Sequence, residues 1–167
     1  KKNLLSVKKK NEIIELLSNC SGHTGIAGGQ ELDLKFENKL KSLKQIINMQ
    51  KKKTGKLFSF CLNSVGLLAK RSKKEKNYLN SLGEDIGLLF QLADDFLDIK
   101  GSKKLVGKPI QKDTKKGKST LVNLLGYEKA HNYAYNLKKK ILLKLKKHGK
   151  KATDLQQTIE FILGRNF

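Results

Sequence analysis

The chain has 167 residues, 38% of them hydrophobic, which is enough for one globular domain or a large part of one, and its formal net charge is +21. No apolar run approaches the roughly 20 residues needed to cross a bilayer, so a membrane-spanning helix is excluded for this sequence. The two cysteines, Cys20 and Cys61, fit a reducing compartment better than a disulfide framework. The single proline, Pro109, favours long helices over a turn-rich β architecture.

Lysine supplies nearly all of the positive charge, since the only arginines are Arg71 and Arg165. Proteins that read bases and phosphates favour arginine, whose planar guanidinium donates two parallel hydrogen bonds. We therefore interpret runs such as Lys51-Lys52-Lys53 as solvated helix faces and expect no nucleic acid as a partner. A basic helical protein that binds nucleic acid stays an open alternative. Because the chain begins at Lys1 rather than Met, we expect further sequence, including any targeting peptide, ahead of it.

The first predicted helix covers Glu12–Leu34, where apolar residues recur with helical spacing. Gly22, Gly25 and Gly29 fall at positions i, i+3 and i+7 and would share one face of that helix. Each glycine costs about 1 kcal/mol in a helix relative to alanine, so we expect the close approach of another helix or a ligand to offset this cost. A flexible loop is the alternative.

A second helix is predicted to begin after Ser42, because Ser42 and Gln45 have capping-box spacing. The helix continues toward Lys53-Thr54-Gly55 through Leu43, Ile46, Ile47 and Gln50. An apolar stretch over Leu57–Ala69 follows, and the basic residues Arg71–Lys76 are interpreted as an inter-helix loop.

A long helix over Tyr78–Ile99 is apolar nearly all round, which indicates a central helix with neighbours on most sides. The glycine- and lysine-rich residues Gly101–Lys118 are predicted to form a loop. Two amphipathic helices close the chain, one running through Ala130, Tyr133, Leu137 and Ile141 and the other through Leu155, Ile159 and Ile162. No segment has convincing β periodicity, so the chain is predicted to be all-α.

Three carboxylates, Asp94, Asp95 and Asp98, lie on this most apolar helix. Asp94 and Asp98 are one turn apart on one face, and Gln91 lies one turn before Asp94. Burying unpaired carboxylates is costly, so a cation is expected to compensate them. An all-oxygen set of this kind suits Mg²⁺ whose shell is completed by water and substrate phosphates. An exposed acidic corner with a salt bridge at the helix end is the alternative.

The predicted loop that follows carries the complementary charge, because Lys108 and Lys118 each follow a glycine. A lysine ammonium suits a diphosphate oxygen, and glycine lets the backbone approach a ligand. The sequence Gly117-Lys118-Ser119 does not belong to a P-loop, since Lys112 stands where that motif needs glycine and no strand precedes it. Beside the carboxylates, the loop indicates a metal–diphosphate site.

Taken together, these motifs resemble those of the short-chain trans-polyprenyl diphosphate synthases of the farnesyl and geranylgeranyl type. The segment Phe90–Asp98 matches the second aspartate-rich motif of that family. Three more motifs of the family occur in the family's order and at similar spacing, two before this segment and one after it, at Gly25–Leu34, Lys53–Gly55 and Gly107–Leu121. The resemblance covers nearly the whole chain, and four motifs in order make it specific.

The resemblance implies an all-α isoprenoid-synthase fold that is incomplete here, with residues 1–167 forming the C-terminal half of a single domain. The family's first aspartate-rich motif, DDxxD, is absent from this chain, and so are the basic groups that bind isopentenyl diphosphate. The whole enzyme is expected to condense an allylic diphosphate with isopentenyl diphosphate, to use Mg²⁺, and to be a cytoplasmic homodimer, with organellar targeting left open. We expect the chain alone to be inactive. A non-catalytic or regulatory half-length subunit is a further alternative.

The resemblance also assigns roles to individual residues. Asp94 would be a direct Mg²⁺ ligand, with Asp95 and Asp98 completing the acidic cluster. The allylic diphosphate would be held, and stabilised as a leaving group, by Lys53, Lys108 and Lys118. Thr54 and Gln91 would sit near the reacting carbons and stabilise the developing cation. Two further residues would orient these groups, namely Gln30 and Asp33.

Overall fold

The computed structural model describes residues 5–106 and 119–164, with side chains for all of these except 100–106. Within these ranges the chain is helical and contains no strand, which confirms the all-α prediction. The α-helices described are α1 (Val7–Ser21), α2 (Ile26–Phe36), α3 (Leu43–Gln50), α4 (Lys56–Leu68), α5 (Lys73–Val106), α6 (Leu121–Leu125), α7 (Tyr127–Lys146) and α8 (Thr153–Gly164). A π-helix over Lys51–Gly55, called the π segment below, joins α3 to α4, and a 3₁₀ turn over Gly149–Ala152 precedes α8.

Helix α5 is the centre of the bundle and packs against α4, the π segment, α7 and α8. Its residues Leu88, Leu89 and Leu92 are at most 1% exposed, as expected for a helix with neighbours on most sides. The prediction of a central helix over Tyr78–Ile99 is confirmed, and α5 extends beyond both predicted ends. Although α5 has 34 residues, neither it nor another helix in the described ranges is apolar enough over a sufficient length to cross a membrane.

Two glycines of α5 allow close backbone contact with the preceding helical run. A Cβ at Gly83 would lie 2.4 Å from Ser59 Cα, and a Cβ at Gly87 would lie 2.5 Å from Gly55 Cα. These partner atoms belong to the backbone and cannot rotate away, so only glycine fits at both positions. The contact at Gly87 places the π segment directly beside α5.

The predicted continuous helix over Glu12–Leu34 is wrong, because the chain turns between α1 and α2. Helix α1 ends at its C-cap Gly22, and α2 begins after Gly25. A Cβ at Gly25 would lie 1.8 Å from the carbonyl oxygen of Cys20, so the turn itself requires glycine. The three glycines therefore share no helical face, although the expected close packing is found at Gly29.

The predicted capping box at the start of α3 is confirmed. Ser42 Oγ accepts a hydrogen bond of 3.3 Å from the Gln45 N–H, and Gln45 Oε1 accepts one of 2.9 Å from the Ser42 N–H. These two bonds satisfy backbone donors that have no partner within the helix. The local sequence therefore fixes where α3 begins.

Two of the predicted loops are partly helical. Helix α5 already begins at Lys73, so the loop predicted over Arg71–Lys76 is shorter than expected. Residues Gly101–Val106 continue α5 instead of starting the second predicted loop, and residues 107–118 of that loop lie outside the described residues. The two predicted C-terminal helices are confirmed as α7 and α8, whereas the short helix α6 was not predicted.

Candidate functional site

The π segment lies between α2 and α5 and forms one continuous helical run with α3 and α4. On the α2 side, a Cβ at Gly29 would lie 2.2 Å from the backbone nitrogen of Lys53, and on the α5 side Gly55 contacts Gly87. The flanking residues Gln50 and Lys56 have ordinary right-handed helical torsions. A π turn, with hydrogen bonds from i to i+5, is rare and often occurs at functional sites.

Lys53 of the π segment forms an ion pair with Asp33 of α2. Lys53 Nζ lies 2.6 Å from Asp33 Oδ2, and the two side chains are 33% and 15% exposed. The carboxylate fixes the position of an ammonium group that has further N–H donors to offer. The structure thus brings together two of the residues predicted for the site. Gln30 lies exposed on α2, three residues before Asp33.

Four side chains form a hydrogen-bonded chain between α5 and the run that contains the π segment. Thr54 Oγ1 donates to Gln91 Oε1 at 2.8 Å, and Gln91 Nε2 donates to Asp95 Oδ1 at 3.1 Å. From the end of α3, Gln50 Nε2 donates to Asp95 Oδ2 at 3.3 Å. Gln50 and Thr54 are four residues apart, as are Gln91 and Asp95. The four side chains and the backbone between them therefore close a ring, called the amide ring below.

Both amide donors in the amide ring point toward Asp95, and the Thr54 hydroxyl points toward the oxygen of Gln91. An ionised carboxylate only accepts hydrogen bonds, so Asp95 sets the orientation of both amides and, through Gln91, of the Thr54 hydroxyl. Because the Thr54 proton is directed at Gln91, the lone pairs of Thr54 Oγ1 face away from that bond. The hydroxyl oxygen can then accept a hydrogen bond or stabilise a positive charge.

Gln50 is a member of the ring that the sequence did not reveal as a site residue. It is 3% exposed, and its Oε1 is buried with no hydrogen-bond partner in the described part of the chain. A buried acceptor without a partner costs about 1–3 kcal/mol, so stability alone does not account for a glutamine here. The available signal was its position on the core-facing side of α3, where an apolar residue is the norm.

The three aspartates of the motif on α5 have different surroundings. Asp94 and Asp95 are half-buried and Asp98 is exposed, so the expected enclosure by the apolar bundle does not hold for Asp98. No group of three or more His, Cys, Asp or Glu side chains suited to a metal occurs among residues 5–99 and 119–164. Asp94 and Asp98 are one turn apart on α5, and Mg²⁺ commonly takes one or two carboxylates from a protein and its other oxygens from phosphates and water.

Two of the predicted phosphate-binding residues, Lys108 and Lys118, lie outside the described residues. The description resumes at Ser119, which is buried and whose Oγ donates to the backbone oxygen of Phe36 at 2.7 Å. This bond attaches Ser119 to the last residue of α2, the helix that carries Asp33.

A second charged cluster, also missed in the sequence, surrounds Asp85 of α5. Asp85 is 2% exposed, and its oxygens accept hydrogen bonds from Lys51 Nζ and Lys144 Nζ, each at 2.8 Å. Lys140 Nζ lies 3.6 Å from Asp85 Oδ2. Burial by itself would raise the pKa of Asp85, but the hydrogen bonds and positive charges of Lys144 and Lys51 together outweigh burial and hold the pKa below its ordinary value.

The interpretation of Lys51-Lys52-Lys53 as a solvated helix face is therefore wrong for two of its members. Lys51 and Lys53 are half-buried, and each forms an ion pair with an acidic residue on another helix. An acidic residue in the apolar sequence of α5 was the signal for this cluster. Its partners on α7 lie more than 50 residues further along the chain, beyond the reach of a local pattern.

Known proteins are similar to this chain in sequence. The Polyprenyl synthetase family model matches residues 2–162. A farnesyl diphosphate synthase of Micrococcus luteus is 37% identical over 124 residues, covering 74% of this chain and 43% of the relative. A farnesyl diphosphate synthase of Escherichia coli strain K12 is 32% identical over 166 residues, covering 97% of this chain and 56% of the relative.

Solved structures give the same result. The crystal structure of a geranyltransferase from Helicobacter pylori, complexed with magnesium and isoprenyl diphosphate, aligns with a TM-score of 0.78 at 32% identity, covering 98% of this chain and 54% of that one. A farnesyl or geranylfarnesyl diphosphate (FPP/GFPP) synthase from Zymomonas mobilis also aligns with a TM-score of 0.78, covering 94% of this chain and 52% of that one.

The chain belongs to the polyprenyl synthetase family, as its motifs indicated, and has the all-α isoprenoid-synthase fold. It spans about half the length of the relatives it matches.

Proposed function

We propose that the whole protein is a Mg²⁺-dependent prenyltransferase that condenses an allylic diphosphate with isopentenyl diphosphate. The observation that carries this proposal is the amide ring, because its Thr54 directly follows Lys53 of the ion pair with Asp33 and its Asp95 directly follows Asp94 on α5. Family membership and the names of the relatives support the class of reaction.

In the proposed reaction, the allylic C–O bond breaks and the diphosphate leaves with the bonding electron pair. The double bond of isopentenyl diphosphate attacks the resulting allylic cation, a new C–C bond forms, and a proton is lost. Bound Mg²⁺ would supply positive charge that stabilises the departing diphosphate. The acidic cluster that would hold the ion consists of Asp94 as the direct ligand together with Asp95 and Asp98.

Lysines would provide the remaining positive charge around the diphosphate. Lys53 is suited to this role because Asp33 holds its ammonium in place at 2.6 Å before any substrate binds. Such preorganisation avoids the cost of ordering a charged side chain during the reaction. Lys108 and Lys118 would hold the same diphosphate, and Gln30 would support this group from α2.

Thr54 and Gln91 would stabilise the cation that forms when the diphosphate leaves. The carboxylate of Asp95 orients the Gln91 amide, and the Gln91 oxygen in turn fixes the Thr54 proton at 2.8 Å. The lone pairs of Thr54 Oγ1 are therefore available to a positive carbon centre. Oriented dipoles of this kind stabilise developing charge without reorganising during the step.

The decisive experiment is the condensation rate of the whole gene product with Asp94→Ala. We expect a loss on the order of 10²–10³ in rate, by analogy with the removal of one charge-stabilising group. Asp154→Ala is the matched control, because Asp154 is an exposed aspartate on α8. A loss below about tenfold for Asp94→Ala would remove this residue from the metal site.

We also propose that residues 1–167 are the C-terminal half of one synthase domain and form one wall of the cavity of a cytoplasmic homodimer. The support is that relatives are matched over about half of their length. The isolated chain of 167 residues should then be inactive in a radiolabelled condensation assay. Normal turnover by the isolated chain would contradict this proposal.

A further inference from the structure

Two consecutive acidic residues of α5 bind the two ends of the π segment. Asp85 Oδ1 lies 2.8 Å from Nζ of Lys51, the first residue of the segment. Glu84 Oε1 lies 2.6 Å from Nζ of Lys56, the first residue after it. The rest of the segment, including Lys53 and Thr54, therefore lies between two ion pairs to the same helix.

This arrangement depends on the wide turn. In an α-helix, residues five positions apart point about 140° away from each other. Hydrogen bonding from i to i+5 instead stacks such residues on nearly the same side. Lys51 and Lys56 can therefore both face the adjacent carboxylates of Glu84 and Asp85 when the segment between them is a π-helix.

Asp85 is itself held from the opposite side by α7. It is the only buried acidic residue in the described ranges, and a buried carboxylate requires compensating charge. Lys144 occupies Oδ2 at 2.8 Å, with Lys140 near the same oxygen at 3.6 Å, while Oδ1 accepts from Lys51. Helix α7 therefore fixes Asp85, and Asp85 fixes the start of the π segment.

We propose that Glu84 and Asp85 are positioning residues that stabilise the π form of Lys51–Gly55 and so place Lys53 beside Asp33 and Thr54 beside Gln91. Within the described residues the ion pairs of Glu84 and Asp85 to the segment run through Lys56 and Lys51, so each acid acts through a lysine at one end of the segment. The effect on catalysis rests on the proposed prenyltransferase function. The effect on the segment itself does not.

Hydrogen exchange followed by mass spectrometry on the whole gene product tests the structural part. Asp85→Asn should raise the exchange of amides in the π segment by about tenfold or more relative to those in α8, because the additional opening is local. Lys51→Met should reproduce this effect, and the double variant should show no further increase, because both changes break the same link. Exchange that rises equally in α8, or an unchanged π segment, would overturn the proposal.

Steady-state kinetics on the same variants test the catalytic part. Asp85→Asn and Glu84→Gln should each lower turnover by about 10- to 100-fold, because small misplacements of reacting groups have effects of this size. An active enzyme in which Asp85→Asn loosens the segment without lowering turnover would contradict a positioning role. If the unsubstituted protein catalyses no condensation, the proposed function fails, and the exchange result alone decides whether the acids hold the segment.

Two controls separate positioning from general loss of stability. Glu160→Gln breaks the 2.6 Å ion pair between Lys138 of α7 and Glu160 of α8, away from the π segment, and should change neither readout. Leu145→Ala opens the core of α7, where Leu145 is 2% exposed. It should lower the unfolding temperature without raising exchange in the π segment relative to α8. If Leu145→Ala matches Asp85→Asn in both readouts, the effect of Asp85 is general destabilisation and the proposal fails.

Discussion

Gly29 of α2 and Lys53 of the π segment are in backbone contact, so that a Cβ at position 29 would lie 2.2 Å from the Lys53 nitrogen and 2.5 Å from its Cα. Neither atom can move without moving the helix that contains it. Any side chain at position 29 would push α2 away from the π segment. The ion pair between Asp33 and Lys53, which spans the same two elements, depends on this contact.

Gly29→Ala is therefore expected to destabilise the protein by about 1–3 kcal/mol or more, the usual cost of overpacking. Urea unfolding of the variant would measure this loss. Gly164→Ala is the control, because a Cβ at Gly164 would meet nothing within 4 Å. A Gly29→Ala protein as stable as the Gly164→Ala protein would show that α2 and the π segment can separate at little cost.

Thr54→Val should lower the free energy of unfolding by about 0.5–1.5 kcal/mol, because it removes the 2.8 Å hydrogen bond to Gln91, and Gln91→Leu should lower it further, because it also removes the bond to Asp95. The double variant should lose less than the sum, since the second change removes a bond that is already broken. Thr54→Val combined with Ser59→Ala serves as the comparison, because Ser59 bonds to Asn80 instead. Equal additivity in both cycles would mean that the Thr54–Gln91 bond contributes nothing.

Stability should fall in acid through Asp85, because burial raises its pKa but the hydrogen bonds and charges of Lys144 and Lys51 together outweigh burial and lower the pKa in the folded state. Above the ordinary aspartate pKa of about 3.9, the carboxylate is ionised in both folded and unfolded chains, and its full contribution is present. As the pH falls below that value and through the lower pKa of the folded state, the contribution is lost.

The measurement is the difference in unfolding free energy between the unsubstituted protein and Asp85→Asn at pH 7, 5 and 3. Breaking a buried ion pair costs about 3–5 kcal/mol, so the difference should be large at pH 7 and 5 and smaller at pH 3. A difference that stays constant down to pH 3 would contradict the assignment of this pH dependence to Asp85.

Ser42→Ala should lower stability by about 1 kcal/mol, because it removes the side-chain oxygen that caps α3. Ser64→Ala is the matched control, since Ser64 Oγ donates to the Cys61 carbonyl within α4 and caps no helix end. Thermal unfolding of both variants would measure this loss of stability. A loss for Ser64→Ala as large as that for Ser42→Ala would mean that the cap has no special role.

The sequence predicted the helices whose signals are local. The Ser42–Gln45 cap and the apolar residues of α5 lie within one or two turns of each other, so their spacing alone indicated a helix and its surroundings. The break between α1 and α2 was missed because helical periodicity does not reveal a turn. The turn brings the backbone of Gly25 against that of Cys20, and these contacts appear only in the folded chain.

The sequence predicted much of the candidate site as a set of residues but not as a geometry. The motifs pointed to Lys53, Thr54 and Gln91, yet the Thr54–Gln91 bond spans 37 residues and could not be inferred from spacing. The π turn was not predictable either, because Lys51-Lys52-Lys53 differs in no local respect from lysines on a solvated face. The π turn is instead stabilised by contacts of its residues with α2 and α5.

The wide turn at Lys51–Gly55 also has a consequence for sequence change. Removing one residue there would let the run from α3 to α4 become a regular α-helix, and residues now five positions apart would become four apart, which also lie on nearly the same side. Gly55 and Ser59 would therefore keep facing Gly87 and Gly83, but the run would lose the extra residue that widens the turn around Lys53 and Thr54. We therefore expect a one-residue deletion there to preserve the packing of α4 on α5 while it displaces the side chains of Lys53 and Thr54.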